Sequence, residues 1–543
     1  MTAYRVNTHP IEGQSPGTSG LRKKTQVFMG PHYLENYVQA IFDAIGGAAG
    51  KSFVLGGDGR YFNDRAIQVI LRMAAANGAA KLVVGANGIM STPAASHLIR
   101  IRGADGGLIL SASHNPGGPD GDFGVKFNMA NGGPATEALT DKILAASQTL
   151  ETYAIIDSHE IDLSTPRVTS LAGMAIEVID PVSDYAALME ELFDFEAIRS
   201  LFEGGFTMRF DAMNAVTGPY AKAILEDKLG AEAGTVVNAV PLPDFGGLHP
   251  DPNPVWADAL MSLMTSDKSP DFGAASDGDG DRNMITGRGI YITPSDSLAV
   301  LAANAHLVPA YANGCVGVAR SMPTSAAADR VATELGIPVF ETPTGWKYFG
   351  TLLDAGKVTL CGEESAGTGS THVREKDGLW AVLFWLNILA RTGKSVADLM
   401  QDHWTRFGRN YYQRHDYENL DSERARAVVE QLRSLLPSLP GQNIGSLVVK
   451  EADEFSYQDP VDGTCSKGQG IRIHFDGGGR AVFRLSGTGT EGATLRVYLE
   501  QVVDDPSQLN LPTSDVLRPV AEAVMLVSRL SELTGRKEPD VVT

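Results

Sequence analysis

Along most of the chain, short apolar runs rich in β-branched residues alternate with stretches whose apolar positions recur every three to four residues. That alternation predicts successive β/α units, with helices packed on a largely parallel sheet. The first series reads as a strand over Ser52 to Gly56, a helix over Asn63 to Asn77, and strands over Lys81 to Gly85 and Gly107 to Leu110. A second starts with a strand at Phe206 to Phe210 and a helix at Pro219 to Leu229, and its strand Phe272 to Ala275 runs into an acidic loop. A third offers strands at Cys315 to Ala319, Ile337 to Phe340 and Val358 to Leu360, with helices at Ser325 to Leu335 and Trp346 to Asp354. Its closing helix, Leu379 to Leu389, is apolar nearly all round and is expected to be buried.

The remainder changes character. A helix from Glu423 to Leu436 ends at Pro437, and Ile471 to Phe475, Ala481 to Leu485 and Thr494 to Leu499 alternate like antiparallel strands. A last helix covers Val516 to Leu533. The three β/α series read as candidate structural repeats, although their letters are too dissimilar to establish it.

At 543 residues the chain is too long for one core, and its 43% hydrophobic and 20% charged content is that of a packed globular protein. The formal net charge of −20 repels nucleic acid and anionic membranes, so neither is expected as a partner. It repels a sugar phosphate as well, so a site for one must gather Arg and Lys locally. Cys315, Cys361 and Cys465 form neither a metal spacing nor a disulfide framework, which points to a reducing cytoplasm. The amino-terminal residues show no apolar signal segment, and the longest strongly apolar stretch, Ala381 to Ala390, is too short to span a bilayer.

Several loops carry candidate chemistry. Ser111-Ala112-Ser113-His114-Asn115-Pro116-Gly117-Gly118 follows an apolar strand, where open α/β sheets present ligands. The same residues also suit an ordinary turn, and His114, adjacent to Ser113, need not face it. Asp277, Asp279 and Asp281 alternate with glycines on a strand-ending loop and can converge on one hard cation. The EF-hand fails on spacing, since Arg282 and Arg288 stand where its Gly and Glu belong. With three protein carboxylates and room for a phosphate oxygen, the expected ion is Mg²⁺.

Arg484 to Gly492 contains a G-x-G-x-x-G string, but a strand pattern follows it, not a helix, so a dinucleotide fold is excluded. What remains is a loop of glycines and hydroxyls flanked by Arg484 and Arg496, chemistry that suits a phosphate dianion. Glu363 and Ser365, just after a predicted strand, could hold sugar hydroxyls or be a plain polar loop. Gly13-Gln14-Ser15-Pro16-Gly17 matches the esterase elbow in letters only, because Pro16 lacks the N–H that an oxyanion hole needs. Gly17 to Lys24, with Thr18 and Arg22, is a better candidate for an anion-facing loop.

Taken together and in this order, these segments resemble the α-D-phosphohexomutase superfamily, most closely its phosphoglucomutases, over nearly the whole chain. Pro343-Thr344-Gly345-Trp346-Lys347 and Arg374 to Trp380 share the resemblance. It implies an α/β fold of four domains around a central cleft, three related α/β domains and a smaller α+β C-terminal domain. The boundaries expected are residues 1–180, 181–302, 303–408 and 409–543, each domain bringing one loop.

The resemblance further implies a phosphorylated Ser113, with Asp277, Asp279, Asp281 and the serine phosphate around Mg²⁺. Lys376, Lys126, Arg22 and His114 would complete the catalytic group, with Lys376 the candidate for proton transfer. Substrate would be held by Thr18, Arg22, Arg282, Thr344, Gly345, Glu363, Ser365 and Lys376. The non-reacting phosphate would meet Arg484, Ser486, Gly487, Thr488, Thr490 and Arg496. The implied reaction interconverts glucose 1-phosphate and glucose 6-phosphate through glucose 1,6-bisphosphate, in the cytoplasm, with hexose phosphates as partners. A phosphomannomutase, a phosphoglucosamine mutase or a metal-dependent sugar phosphatase would share most of these parts. Two departures stand out: Ser111 where threonine is common, and Ala366 where many animal-type members carry phenylalanine.

Overall fold

The computed structural model of the chain describes residues 2–486 and 492–543. Four main sheets follow one another along the sequence. The first has seven strands, ordered Leu21–Lys24, Asp122–Met129, Gly106–Leu110, Ser52–Gly57, Lys81–Ile89, Met174–Ile179, Arg167–Leu171. The second has five, ordered Val236–Val237, Met208–Asp211, Phe272–Ser276, Asn283–Gly287, Ile290–Ile292. The third has four, ordered Val339–Thr342, Val318–Ser321, Leu360–Gly362, Thr368–Ser370.

Inside each of these sheets lies the same unit. A first strand pairs in parallel with the second on one side and the third on the other, and a fourth returns antiparallel beside the third. The sequence similarity too weak to establish a repeat therefore hides a topological one. The connection from the third strand to the fourth carries Ser113 in the first unit, Asp277 to Asp281 in the second, and Glu363 and Ser365 in the third. Three candidate loops thus occupy one equivalent place, at the carboxyl end of a parallel strand, where such sheets bind ligands.

Several expected elements shift. The third series forms strands at Val318–Ser321, Val339–Thr342 and Leu360–Gly362, each displaced toward the C-terminus. The ladder continues past the apolar run into polar residues such as Arg320, Glu341 and Thr342. The helix expected from Pro219 is α-helical over Thr217–Ala221 and π-helical over Lys222–Lys228. The last helix runs over Thr513–Ser528 and breaks at Arg529, which adopts a left-handed φ of 50°, before a short turn of helix at Leu530–Thr534.

The expected buried helix extends over Gly378–Thr392 and is buried from Gly378 to Leu389. It belongs to an apolar core that runs from Val54 and Ile109 of the first sheet, through Phe210 and Phe272, to Val318 and Leu360 of the third. The C-terminal sheet has a separate core, in which Val428 and Leu432 from the helix Ser422–Leu435 pack on Ile473, Phe483 and Val497. Its seven antiparallel strands include Arg409–Leu420, Gly479–Ser486 and Ala493–Val503. The first of these, with polar residues throughout, gave no apolar signal in the sequence.

Candidate active site

Ser113 follows the strand Gly106–Leu110 and is fully buried, with a left-handed φ of 53°. A non-glycine residue in that region is held there by its surroundings. Ser111 Oγ accepts from the Ser113 N–H at 2.7 Å and donates to Asp58 Oδ2 at 2.7 Å. The Arg60 guanidinium pairs with Asp58 at 2.9 Å and donates to the carbonyls of Ser113 and Asp122 at 2.7 and 2.8 Å. Asp58 and Arg60 therefore pin both ends of the turn, with Ser111 (the departure noted above) as the link. Nothing in the motifs singled them out, although Asp58-Gly59-Arg60 stands at a strand end as the other loops do.

The Ser113 hydroxyl donates to Asp277 Oδ2 at 2.8 Å, which joins the serine loop to the acidic loop. Asp277, Asp279 and Asp281 are all buried, with one ligand atom from each within 4.8 Å of the others. Burial, then the charges of Asp281 and Asp279, push the Asp277 carboxyl well above its ordinary range. Burial acts the same way on Asp279, but the Lys126 ammonium at 2.5 Å and the Thr92 hydroxyl at 2.7 Å outweigh it and hold that carboxyl low. Lys376 Nζ lies 3.2 Å from Asp281 Oδ2.

One oxygen each of Asp279 and Asp281, both Oδ1, is buried without a hydrogen-bond partner among the described residues. Buried carboxylate oxygens left unpaired are costly. A divalent cation satisfies them and removes the like-charge repulsion, so the residues fit the expected metal.

The loop of Glu363 and Ser365 lies against this centre. Asn283 donates to the carbonyl of Ala366 through both its backbone N–H and its side chain, at 3.0 and 3.1 Å, and Arg282 bridges to Gly367. A Cβ on Gly367 would stand 2.2 Å from Lys376 Cδ, and one on Gly378 2.0 Å from the Arg282 carbonyl. Glycine at these two positions allows Lys376 and the acidic loop to approach. Glu363 Oε1 accepts from the Gly345 N–H at 2.9 Å, and Gly345 packs against the Thr18 methyl. Thr344 Oγ1 is buried without a partner among the described residues.

Positive charge gathers here against the global field. Arg282 lies within 4.0 Å of Asp277, Asp281 and Asp251. The Arg22 guanidinium, lowered by burial, is drawn up by Asp279 and pushed down by Arg282. Burial first, then Arg282 and Arg22, hold the His114 imidazole well below its ordinary range, so the ring is neutral near pH 7. Its Nδ1 is 3.5 Å from Ser113 Oγ, too long for a strong hydrogen bond.

Arg484 and Arg496 stand directly opposite one another on the strands Gly479–Ser486 and Ala493–Val503. Arg484 lies 3.4 Å from the Tyr498 hydroxyl and is stabilised as a cation by Tyr498, Glu364 and Glu363, while Arg496 acts electrostatically on His114. Ser486 ends its strand opposite Thr494. Gly487, Thr488 and Thr490 lie outside the described residues. Ser365, Arg282 and Arg414 line one cavity with Asp251, Tyr412 and Thr543, at the junction of the second, third and fourth sheets. The structure thus gathers the loops of Ser113, Asp277 to Asp281, and Glu363 with Ser365 around Lys126, Lys376, Arg22, Arg282 and His114.

Three related α/β units thus bring the loops of Ser113, Asp277 to Asp281, and Glu363 with Ser365 to one topological place. Matching family descriptions cover residues 13–154, 183–289 and 294–407 as the phosphoglucomutase/phosphomannomutase α/β/α domains I, II and III. Residues 409–540 match the C-terminal domain of phosphoglucomutase-1. The chain belongs to the phosphoglucomutase/phosphomannomutase family.

Among its relatives, a phosphoglucomutase of Rhizobium radiobacter is 57% identical over 99% of both chains. A cytoplasmic phosphoglucomutase of Pisum sativum is 50% identical over 100% of both. The crystal structure of the Paramecium exocytosis-sensitive phosphoprotein pp63/parafusin, a phosphoglucomutase, superposes with a TM-score of 0.92 at 46% identity, covering 100% of this chain and 99% of that one.

Proposed function

We propose that this chain is a magnesium-dependent isomerase that interconverts glucose 1-phosphate and glucose 6-phosphate, with Ser113 as the phosphate carrier. The observation that carries this reading is the Ser113 hydroxyl 2.8 Å from Asp277, inside a buried carboxylate triad with unpaired oxygens. The full-length likeness to relatives named phosphoglucomutases favours glucose over mannose or glucosamine.

In the reaction, the bond between Ser113 Oγ and phosphorus breaks as a free sugar hydroxyl attacks. The hydroxyl passes its proton to Lys376 in the neutral amine form, and the ammonium so formed, beside Asp281, returns a proton to Ser113 Oγ as the bond to phosphorus breaks. Arg22 and Arg282 offset charge on the transferring group. A bound magnesium, held by Asp277, Asp279 and Asp281, would stabilise that same charge.

Glu363 and Ser365 bind sugar hydroxyls, while Thr18, Thr344 and Gly345 border them. Arg484, Ser486, Arg496 and the loop residues Gly487, Thr488 and Thr490 grip the phosphate that is not reacting. Glucose 1,6-bisphosphate then turns over within the cleft, and its other phosphate returns to Ser113. Residence is cytoplasmic, in keeping with the Pisum sativum relative's name. Among the described residues no helix is long and apolar enough to cross a membrane.

The deciding experiment follows glucose 1-phosphate with and without added glucose 1,6-bisphosphate, beside mannose and glucosamine phosphates. Conversion to glucose 6-phosphate, stimulated by the bisphosphate, is expected. Release of inorganic phosphate without isomerisation would make the protein a phosphatase.

A further inference from the structure

The C-terminal sheet carries a row of charge that includes a carboxylate not yet given a role. Asp416, Arg496 and Arg484 stand directly opposite one another on three adjacent antiparallel strands. Residues so placed share a face of the sheet, and Arg414, two positions before Asp416, returns to that face. Like charges directly opposite repel, so three arginines side by side hold no defined orientation by themselves. Asp416 lies among them and is 2% exposed. Its Oδ1 is 3.1 Å from Arg414 Nε, and its Oδ2 is 3.6 Å from Arg496 Nε.

The edge used on Arg496 matters. A guanidinium presents its N–H groups in a rigid fork, and an anion on the Nε side attracts it while leaving terminal N–H groups to a second anion. Arg496 Nε has no hydrogen-bond partner among the described residues, so Asp416 acts on it through charge at 3.6 Å. The strand itself does not need this carboxylate. Asp416 pairs with Arg496 and Val541 through its backbone, and its carbonyl accepts from the Asp540 N–H.

We propose that Asp416 is a positioning residue: it holds Arg496 in the orientation that grips the non-reacting phosphate. This rests on the reading of Arg496 given above. Asp416 touches no substrate and acts only through the guanidinium. Its loss therefore weakens every ligand that places a phosphate at that subsite, and leaves transfer at Ser113 alone.

The test is steady-state kinetics on Asp416→Asn, Arg496→Ala and the double variant, each checked by thermal melting. Asp416→Asn is expected to raise KM for glucose 1-phosphate roughly tenfold, the scale of a charge-assisted contact. The bisphosphate needed for half-activation should rise in parallel, and kcat should stay within about twofold. In the Arg496→Ala background the Asn substitution should add nothing. Asp416→Glu, which returns the charge, should recover most of the lost affinity, and it decides the matter if Asp416→Asn melts early.

A wild-type KM for Asp416→Asn beside a raised KM for Arg496→Ala overturns the proposal. So do effects that simply add in the double variant. A wild-type KM for Arg496→Ala fails the phosphate-grip reading first, and the proposal falls with it.

Discussion

At the scale of single residues, Ser113 is set by contacts that do no chemistry. Its left-handed backbone is fixed by Ser111 below and Arg60 above, so its hydroxyl meets Asp277 without a search. Ser113→Ala is expected to abolish turnover, because no neighbouring residue can replace the covalent carrier. Intact mass should show a phosphate on part of the wild-type protein and none on the variant, and an active, phosphorylated Ala variant would sink the assignment. Arg60→Ala leaves the fully buried Asp58 carboxyl without its ion-pair partner, a loss on the order of 3–5 kcal/mol that denaturant unfolding should read, accompanied by a fall in kcat. Ser113 and the three aspartates were legible in the sequence because their spacing is local. Asp58, Arg60 and Asp416 were not, because Ser111, Ser113 and Arg496 come near them only through sheet pairing.

At the scale of elements, the repeated strand order explains why the three candidate loops meet, and it was only half visible in the letters. Apolar runs disclosed the strands but misplaced their ends in the third sheet, since the functional ends of Val318–Ser321 and Val339–Thr342 are polar. The strand Arg409–Leu420 escaped notice because polar residues interrupt its apolar positions, although Tyr411, Tyr417 and Leu420 join the core. The helix Gly378–Thr392 was plain from its composition, but its anchor was not. Asp377 caps it by accepting from the Trp380 N–H at 3.1 Å, and its carboxylate also takes the Tyr185 hydroxyl at 2.6 Å and His372 Nε2 at 3.0 Å. Asp377→Ala removes a cap and leaves buried polar groups unpaired, so a loss of about 2–4 kcal/mol is expected. Because Lys376 immediately precedes the cap, kcat should fall further than the stability loss accounts for. Unchanged kcat in a folded variant would separate the cap from catalysis.

At the scale of the whole molecule, buried charge gives stability a pH dependence. Asp296 is buried in the helix Pro294–Asn304, and its carboxyl is pushed up to about 6 by burial, against the partial relief of Arg409 and Trp404. Its acid form suits the folded state. The stability this confers is fully present below the ordinary value of 3.8 and is lost as pH rises through about 6. Two units correspond to roughly 3 kcal/mol. Asp296→Asn, which keeps an oxygen for Trp404, should therefore melt higher than wild type at pH 8, with the advantage fading toward pH 4. An advantage equal at both pH values would show that ionisation of Asp296 is not its source.

Asp279, on the second sheet's acidic loop, is held by Thr92 and Lys126 from the first sheet's domain, while Lys376 from the third reaches Asp281. Whatever occupies that loop is therefore coupled by mass action to the closure of three domains upon one another. A cation at a hundred times its dissociation constant adds about 2.7 kcal/mol to the state that binds it. Chelation should accordingly expose the junctions between these domains to protease at temperatures where circular dichroism still reports intact helices, and magnesium should restore their resistance. The ion would then be a rivet as well as a reagent, and its cellular concentration would set how long the folded protein survives as well as how fast it works.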